Sequence, residues 1–298
     1  MNTFLKDLEY AWSKPNNAPI KIIIINVVVF VFINLIWLIC RFAGNMSFFN
    51  QTIDFLSLPP YFWDFLLQPW ALITYFFTHQ DFFHLVFNML ALYWFGIILN
   101  DFLGSSRITA LYILGGIAGG IAYLLLSNTI PFFERSSGSG MIGASGSVYA
   151  IVVAAATLSP DFRMNLLLFG PVKIKYIAAV YVFLSIIGTA GANSGGNIAH
   201  LGGALLGYMF IKNLQRGRDW SLPFGRFRNW TKNWFKPKRS MKVTVGGKHA
   251  SYKTTLRSQS LEPTQEVIDA ILDKISVQGY EKLTNEEKQI LFRASQKK

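Results

Sequence analysis

Charge is what this chain has least of. Only 15% of its 298 residues are Asp, Glu, Lys or Arg, against 52% hydrophobic residues and a mean hydropathy of +0.33. A surface so poor in charge excludes one ordinary soluble domain of this length and leaves the membrane class. Cysteine is reduced to Cys40, set in an apolar run without a partner, which excludes a disulfide scaffold and makes the thiol a packing residue. The net charge of +12 suggests nucleic acid until its location is noted, because 19 of the 28 Lys and Arg fall after Ile211. That excess belongs to a tail, where it reads as a topology determinant and a contact for anionic lipids, with no nucleic acid as partner. No cleavable signal peptide is visible in the pattern: the first apolar run begins only at Ile22 and no small-residue cleavage pattern follows it.

What is present is a series of apolar segments near 22–40, 82–99, 109–127, 141–157, 171–187 and 196–212, each long enough, or nearly so, for a hydrocarbon core of roughly 30 Å. The fold expected is an all-α membrane protein, a six-transmembrane-helix bundle with a small helical cytoplasmic C-terminal unit. Basic residues alternate between connecting segments: Lys6, Lys14 and Lys21 lie before the first span, Arg163, Lys173 and Lys175 between the fourth and fifth, and the tail follows the sixth. The positive-inside bias then puts both termini in the cytoplasm, and the membrane expected is a bacterial cytoplasmic (inner) membrane. The organisation expected is a cytoplasmic N-terminal segment (1–20), the membrane domain (21–213), a basic juxtamembrane linker (214–261) with Trp220, Trp230 and Trp234 near the headgroups, and a short helical tail unit (262–298). In the tail Val267, Ile268, Ile271, Leu272 and Ile275 form a stripe, Gly279 can end that helix, and Thr284 with Glu287 makes a capping box. The segment from Arg41 to Thr78 is too broken by Pro59 and Pro60 to span, and its aromatic residues assign it to the membrane interface. Gly115, Gly116, Gly119 and Gly120 in the third span supply close-packing faces.

This orientation starts spans two, four and six at the same, non-cytoplasmic face. His84 and Asn88 begin the second, Ser145 the fourth and His200 the sixth, so at about 1.5 Å rise per residue all four lie within roughly 10 Å of that face. Taken alone, Ser145 is a small residue in a packing face beside Gly143, Gly146 and Ala150, and His84 with Asn88 is an interhelical hydrogen-bonding pair. The sharper reading is chemical. Serine is a weak nucleophile until a base takes its proton, and His200 lies at matching depth. Gly203 and Gly207 clear one side of the sixth helix so that it can press against Gly146. None of the sixteen carboxylates is placed to orient the imidazole, which makes the pair a dyad. Tyr149, one turn after Ser145, can stack on the ring. The backbone N–H groups of Ala144 and Ser145 and the side chains of His84 and Asn88 are candidate oxyanion donors. His79 braces the adjoining loop, and the glycine-rich stretch Gly188 to Gly196 reads as a mobile lid. The chemistry calls for no metal or cofactor. A six-span transporter is disfavoured because no ionisable residue lies near the middle of a span and no inverted repeat is visible.

Gly143-Ala144-Ser145-Gly146, His84-x-x-x-Asn88 and Ala199-His200-x-x-Gly203-x-x-x-Gly207 together resemble the rhomboid intramembrane serine proteases, over about residues 20 to 213. The resemblance implies a Ser145–His200 dyad, an oxyanion hole aided by His84 and Asn88, and Tyr149 stacked on the base. It also implies a large first loop lying sideways in the membrane, with His79 in a structural role. The activity implied is cleavage of single-pass transmembrane protein substrates near the outer end of their helix. Two positions depart from the family pattern: its Trp-Arg pair reads Trp70-Ala71, and a glutamate near the end of span two is replaced around Asn100 and Asp101. The rival reading is a catalytically silent rhomboid-like membrane client-binding protein. No pattern specifies an oligomeric state.

Overall fold

The run Ile22–Ile25 and Val27–Val29 is β-branched and would favour a strand in water, yet it lies within a 25-residue helix, α2 (Ala18–Phe42). Hydrocarbon offers backbone groups no partner, so an isolated apolar run there is helical. The computed structural model describes residues 2–136, 140–166, 170–191, 193–224, 265–278, 283–284, 287–288, 290–291 and 294, in two units, 1–237 and 238–298.

In the first unit, α1 (Asn2–Ser13) precedes α2 and leaves Leu5 and Trp12 exposed on its surface. After α2 come the short helices α3 (Met46–Leu56), α4 (Phe62–Leu67) and α5 (Ala71–Thr74) with a 3₁₀ turn, Tyr75–Phe77. The larger helices follow: α6 (Phe82–Leu103), α7 (Ser105–Thr129), the short α8 (Pro131–Ser136), α9 (Ser145–Leu158), α10 (Ile174–Gly188) and α11 (Ser194–Gln215). By length and composition α2, α6 and α7 can cross a membrane, and α9 and α10 are shorter apolar helices.

The all-α expectation needs one correction, an antiparallel hairpin of β1 (Arg163–Leu166) and β2 (Gly170–Lys173) between α9 and α10. Pro171 pairs with Asn165 in it, and Gly170 takes φ +68°. Pairing with Arg163–Leu166 holds Gly170–Lys173 extended, so the helix starts at Ile174 and not at 171 as the apolar count supposed.

The fourth apolar segment is also shorter than its composition indicates. Met141 is not helical but pairs with Leu58, each backbone N–H donating to the other's carbonyl at 2.8–2.9 Å, and Gly143 N–H donates to the Tyr75 carbonyl at 2.9 Å. At 14 residues α9 is about 21 Å long, less than a bilayer core, and the extended segment leads into it. Its Gly146, Ser147, Val148, Ala150, Ile151, Val152, Ala154 and Ala155 are all buried, making α9 the central helix.

Glycines set the packing around it. A Cβ on Gly203 would strike the Gly146 carbonyl and one on Gly207 the Ala150 carbonyl. On α7, a Cβ on Gly115 would meet Ala150 Cβ at 2.5 Å and one on Gly119 the Ala199 carbonyl at 2.8 Å. At these glycines α7, α9 and α11 meet backbone to backbone.

Polar side chains fasten the periphery. Trp70 Nε1 donates to the Phe55 carbonyl (3.0 Å) and Gln68 Nε2 to that of Ser57 (3.2 Å), bracing the loop that lacks the Trp-Arg pair. Where the glutamate is replaced, Asn100 Nδ2 donates to the Asn16 carbonyl (2.8 Å) and Ser105 Oγ to Asn100 Oδ1 (2.9 Å). The Ala18 N–H in turn donates to Ser105 Oγ (3.0 Å), tying the start of α2 to the α6–α7 junction. Arg107 Nε pairs with Asp219 Oδ2 at 2.9 Å, and Trp220 meets Phe210 edge-on.

In the second unit, α12 (Gln265–Gln278) carries the expected stripe, with Ile271 buried and Val267 and Leu272 exposed. The capping box forms: Thr284 N–H donates to Glu287 Oε2 (2.7 Å) and Glu287 N–H to Thr284 Oγ1 (3.3 Å). Lys274 Nζ pairs with Glu287 Oε1 at 2.7 Å. Gly279, Trp230, Trp234 and most of the expected linker lie outside the described residues.

Candidate active site

Gly143 adopts φ +116°, a conformation open to glycine, and a Cβ there would fall 2.5 Å from His84 Cε1. The bend turns the extended segment into α9 at Ser145 and lets the His84 ring approach. From the facing helix, His200 Nε2 lies 2.8 Å from Ser145 Oγ. The distance follows from the glycine seam, since Gly203 and Gly207 let α11 close on α9 just where short side chains must meet. Tyr149 stacks on His200, with ring centroids 4.2 Å apart and planes 9° from parallel.

His84 and Asn88 lie across from the pair on α6, whose first turn is capped by Asp81 Oδ1 accepting the His84 N–H at 2.7 Å. Asn88 Nδ2 donates to the His84 carbonyl (2.8 Å), a bond that fixes the amide while leaving its second N–H to other acceptors. Both residues line a cavity of about 540 Å³ together with Ser145, Tyr149 and His200. Its wall includes Tyr75, whose hydroxyl donates to the Gly116 carbonyl.

Two expectations are corrected here. The Ala144 N–H, read as an oxyanion donor, is committed: it donates to His79 Nε2 at 3.2 Å. His79, fully buried, thus braces the approach to Ser145, and of the two backbone donors expected the Ser145 N–H, at the first position of α9, is the one without an acceptor among the described residues. The lid is also shorter than Gly188 to Gly196. Ser194, Gly195 and Gly196 belong to α11, Gly195 lies against Tyr123, and Asn197 Nδ2 reaches back to the Gly188 carbonyl at 3.0 Å. What remains between the helices runs from Thr189 to Asn193, of which Ala192 lies outside the described residues.

One side chain at the site was not anticipated. Ser185, on α10 and 1% exposed, lies with its Oγ 3.1 Å from His200 Nδ1 and 2.9 Å from the Tyr149 hydroxyl. That hydroxyl donates in turn to the Tyr181 carbonyl at 3.3 Å. The available signal was a lone serine in the apolar run 176–187, four residues after a tyrosine. Together these groups can activate a serine hydroxyl and receive an oxyanion in a cavity roofed by the extended segment.

Comparison with known proteins adds an independent line. A family described as "Rhomboid domain" matches residues 66–216, about half of the chain, and a "Family of unknown function (DUF6576)" matches residues 262–297. The chain is 31% identical over 158 residues to RHOMBOID-like protein 12, mitochondrial, of Arabidopsis thaliana, covering 50% of this chain and 47% of that protein. It is 32% identical to Rhomboid protein 1, mitochondrial, of Saccharomyces cerevisiae, covering 49% and 42%. To Presenilin-associated rhomboid-like protein A, mitochondrial, of Danio rerio it is 30% identical, covering 45% and 35%. The matched stretch spans half or less of each of these relatives. Their mitochondrial names overturn the expectation of a bacterial cytoplasmic membrane, and with it the assignment of both termini to a bacterial cytoplasm. Alternating charge reports which loops share a side and carries no information about which organelle owns the membrane.

Proposed function

The chain belongs to the rhomboid family, and from that premise we propose that it is an intramembrane serine endopeptidase. The observation that carries the reading is the 2.8 Å approach of His200 Nε2 to Ser145 Oγ beneath a stacked Tyr149. In this reading α2, α6, α7, α9, α10 and α11 form a six-span bundle, and α9, too short to span alone, sets the nucleophile below the membrane surface. The clients are single-pass membrane proteins cut near the end of the transmembrane helix at the site's face, and the basic tail lies against anionic lipids.

In the acylation step the Ser145 Oγ–H proton passes to His200 Nε2 as Oγ bonds to the scissile carbonyl carbon, and the carbonyl π electrons move onto oxygen. The Ser145 N–H, the His84 ring and the free N–H of the Asn88 amide surround the space for that oxyanion. One such donor contributes about 3 kcal/mol of transition-state stabilisation in a water-poor site. Collapse breaks the C–N bond while His200 Nε2–H protonates the departing amine. Water then attacks the acyl carbon, returns its proton through His200, and releases Ser145.

Purified protein in detergent is expected to react with a fluorophosphonate probe at Ser145 and to cut a membrane-tethered test substrate. Ser145→Ala and His200→Ala are expected to abolish cleavage with unfolding temperatures unchanged within a few degrees. Retained cleavage in either folded variant sinks the dyad. A client-binding protein without catalysis would leave the wild-type serine unlabelled.

A further inference from the structure

A base that must accept a proton at Nε2 has to carry its own hydrogen on Nδ1, and serine hydrolases commonly enforce this with a carboxylate. The neighbours of His200 Nδ1 in this structure include no carboxylate. Its partner is Ser185 Oγ, at 3.1 Å. A hydroxyl can both donate and accept, so by itself it fixes no tautomer.

The direction is fixed further along the chain of bonds. The Tyr181 carbonyl is an acceptor only, so the Tyr149 hydroxyl hydrogen is spent on it at 3.3 Å. The Tyr149 oxygen is then left to accept, and Ser185 Oγ–H donates to it at 2.9 Å. With its one hydrogen used, Ser185 Oγ can only accept from the imidazole, which requires the hydrogen on Nδ1. That leaves the Nε2 lone pair facing Ser145 Oγ–H at 2.8 Å. With the Tyr149 hydroxyl donating to that backbone carbonyl, the donors line up in one direction from His200 Nδ1 to the peptide group. Burial of Ser185, 1% exposed, keeps competing water from reversing it.

We propose that Ser185 is a positioning residue that sets the tautomer of His200, as the middle of a one-way hydrogen-bond chain running His200 Nδ1–H, Ser185, Tyr149, Tyr181 carbonyl. Tyr149 thereby has two duties, stacking on the imidazole with its ring and ordering the chain with its hydroxyl. Among the described residues no carboxylate is bonded to His200 Nδ1, and a neutral relay ending on a peptide group stands in its place.

The inference rests on the protease reading, and the test separates the two. Ser185→Ala removes one hydroxyl with little change of volume. Its expected effect is a fall in kcat, and in the rate of fluorophosphonate labelling, of about tenfold with KM unchanged, the size of one neutral hydrogen bond. Ser185→Thr restores the hydroxyl and is expected to recover most of the rate. Nitrogen NMR of histidine-labelled protein is expected to give the Nδ1–H form for His200 in the wild type and a mixture of tautomers in Ser185→Ala. A reactive wild type with an equally reactive Ser185→Ala overturns the inference alone, as does an Nε2–H wild type or a Ser185→Thr as slow as the alanine variant. A wild type that neither labels nor cleaves overturns the protease reading and the inference with it.

Discussion

The two helices that flank α9 at the site are held in opposite ways. α11 meets it through glycines, so that Gly203 and Gly207 leave no side chain between its backbone and the carbonyls of Gly146 and Ala150. α10 buries only Ile174, Ala178 and Ser185 and turns Val180, Phe183, Leu184, Ile186 and Ile187 outward. The base rides on the first helix and its hydroxyl partner on the second. The reacting distance is thus set by backbone contact, which has no rotamers to adjust, whereas the partner of the imidazole Nδ1 comes from a loosely packed neighbour.

The most damaging way to break this contrast is to put a methyl group in the seam. Gly203→Ala and Gly207→Ala each drive a Cβ into a carbonyl oxygen and are expected to cost about 3 kcal/mol or more of stability, with loss of cleavage. Thermal unfolding in detergent measures it, and a variant that melts like the wild type would show that the seam can open. On α10, Leu184→Ala is expected to change stability by no more than about 0.5 kcal/mol, because that side chain is 59% exposed within the protein. A large loss would mean that α10 is held more firmly than its three buried residues indicate.

The smallest effect belongs to the hairpin before α10. Hydrogen bonds from Lys175 and Lys173 lower the Asp161 carboxyl from 3.8 to about 2. A lowered folded-state value means the pairing contributes above about pH 4 and is lost as pH falls toward 2. The carboxyl is fully solvent-facing, so Asp161→Asn is expected to lower the unfolding temperature at pH 7 by no more than experimental error and to match the wild type near pH 2, where the pairing is already lost. A marked loss at neutral pH would make the hairpin a support for α10.

Much of the site could be read before any coordinates, because its members obey helical spacing. Ser145, Tyr149, His200, Gly203 and Gly207 lie at intervals that put each set on one face, and apolar flanks fix their depth. Ser185 escaped because a lone serine in an apolar helix commonly bonds its own backbone, and spacing does not say which neighbouring helix it faces. The start of α9 was misread for a different reason. Met141 and Ile142 are as apolar as any helix residue, and what holds them extended is Leu58, more than eighty positions earlier. The helices α3 to α5 were missed although Asn45 caps the first of them by accepting the Phe48 N–H, a signal outweighed by Pro59 and Pro60. Ala144 looked free because its acceptor, His79, sits on another element.

Asn16, Asn100 and Ser105 contain no ionisable group. Their grip on the first turn of α2 therefore takes nothing from ionic strength and nothing from acidity. A bilayer that separates two solutions of unlike salt and pH leaves this corner equally firm under both, while the pairing of Asp161 with Lys173 and Lys175 responds to whichever solution it faces.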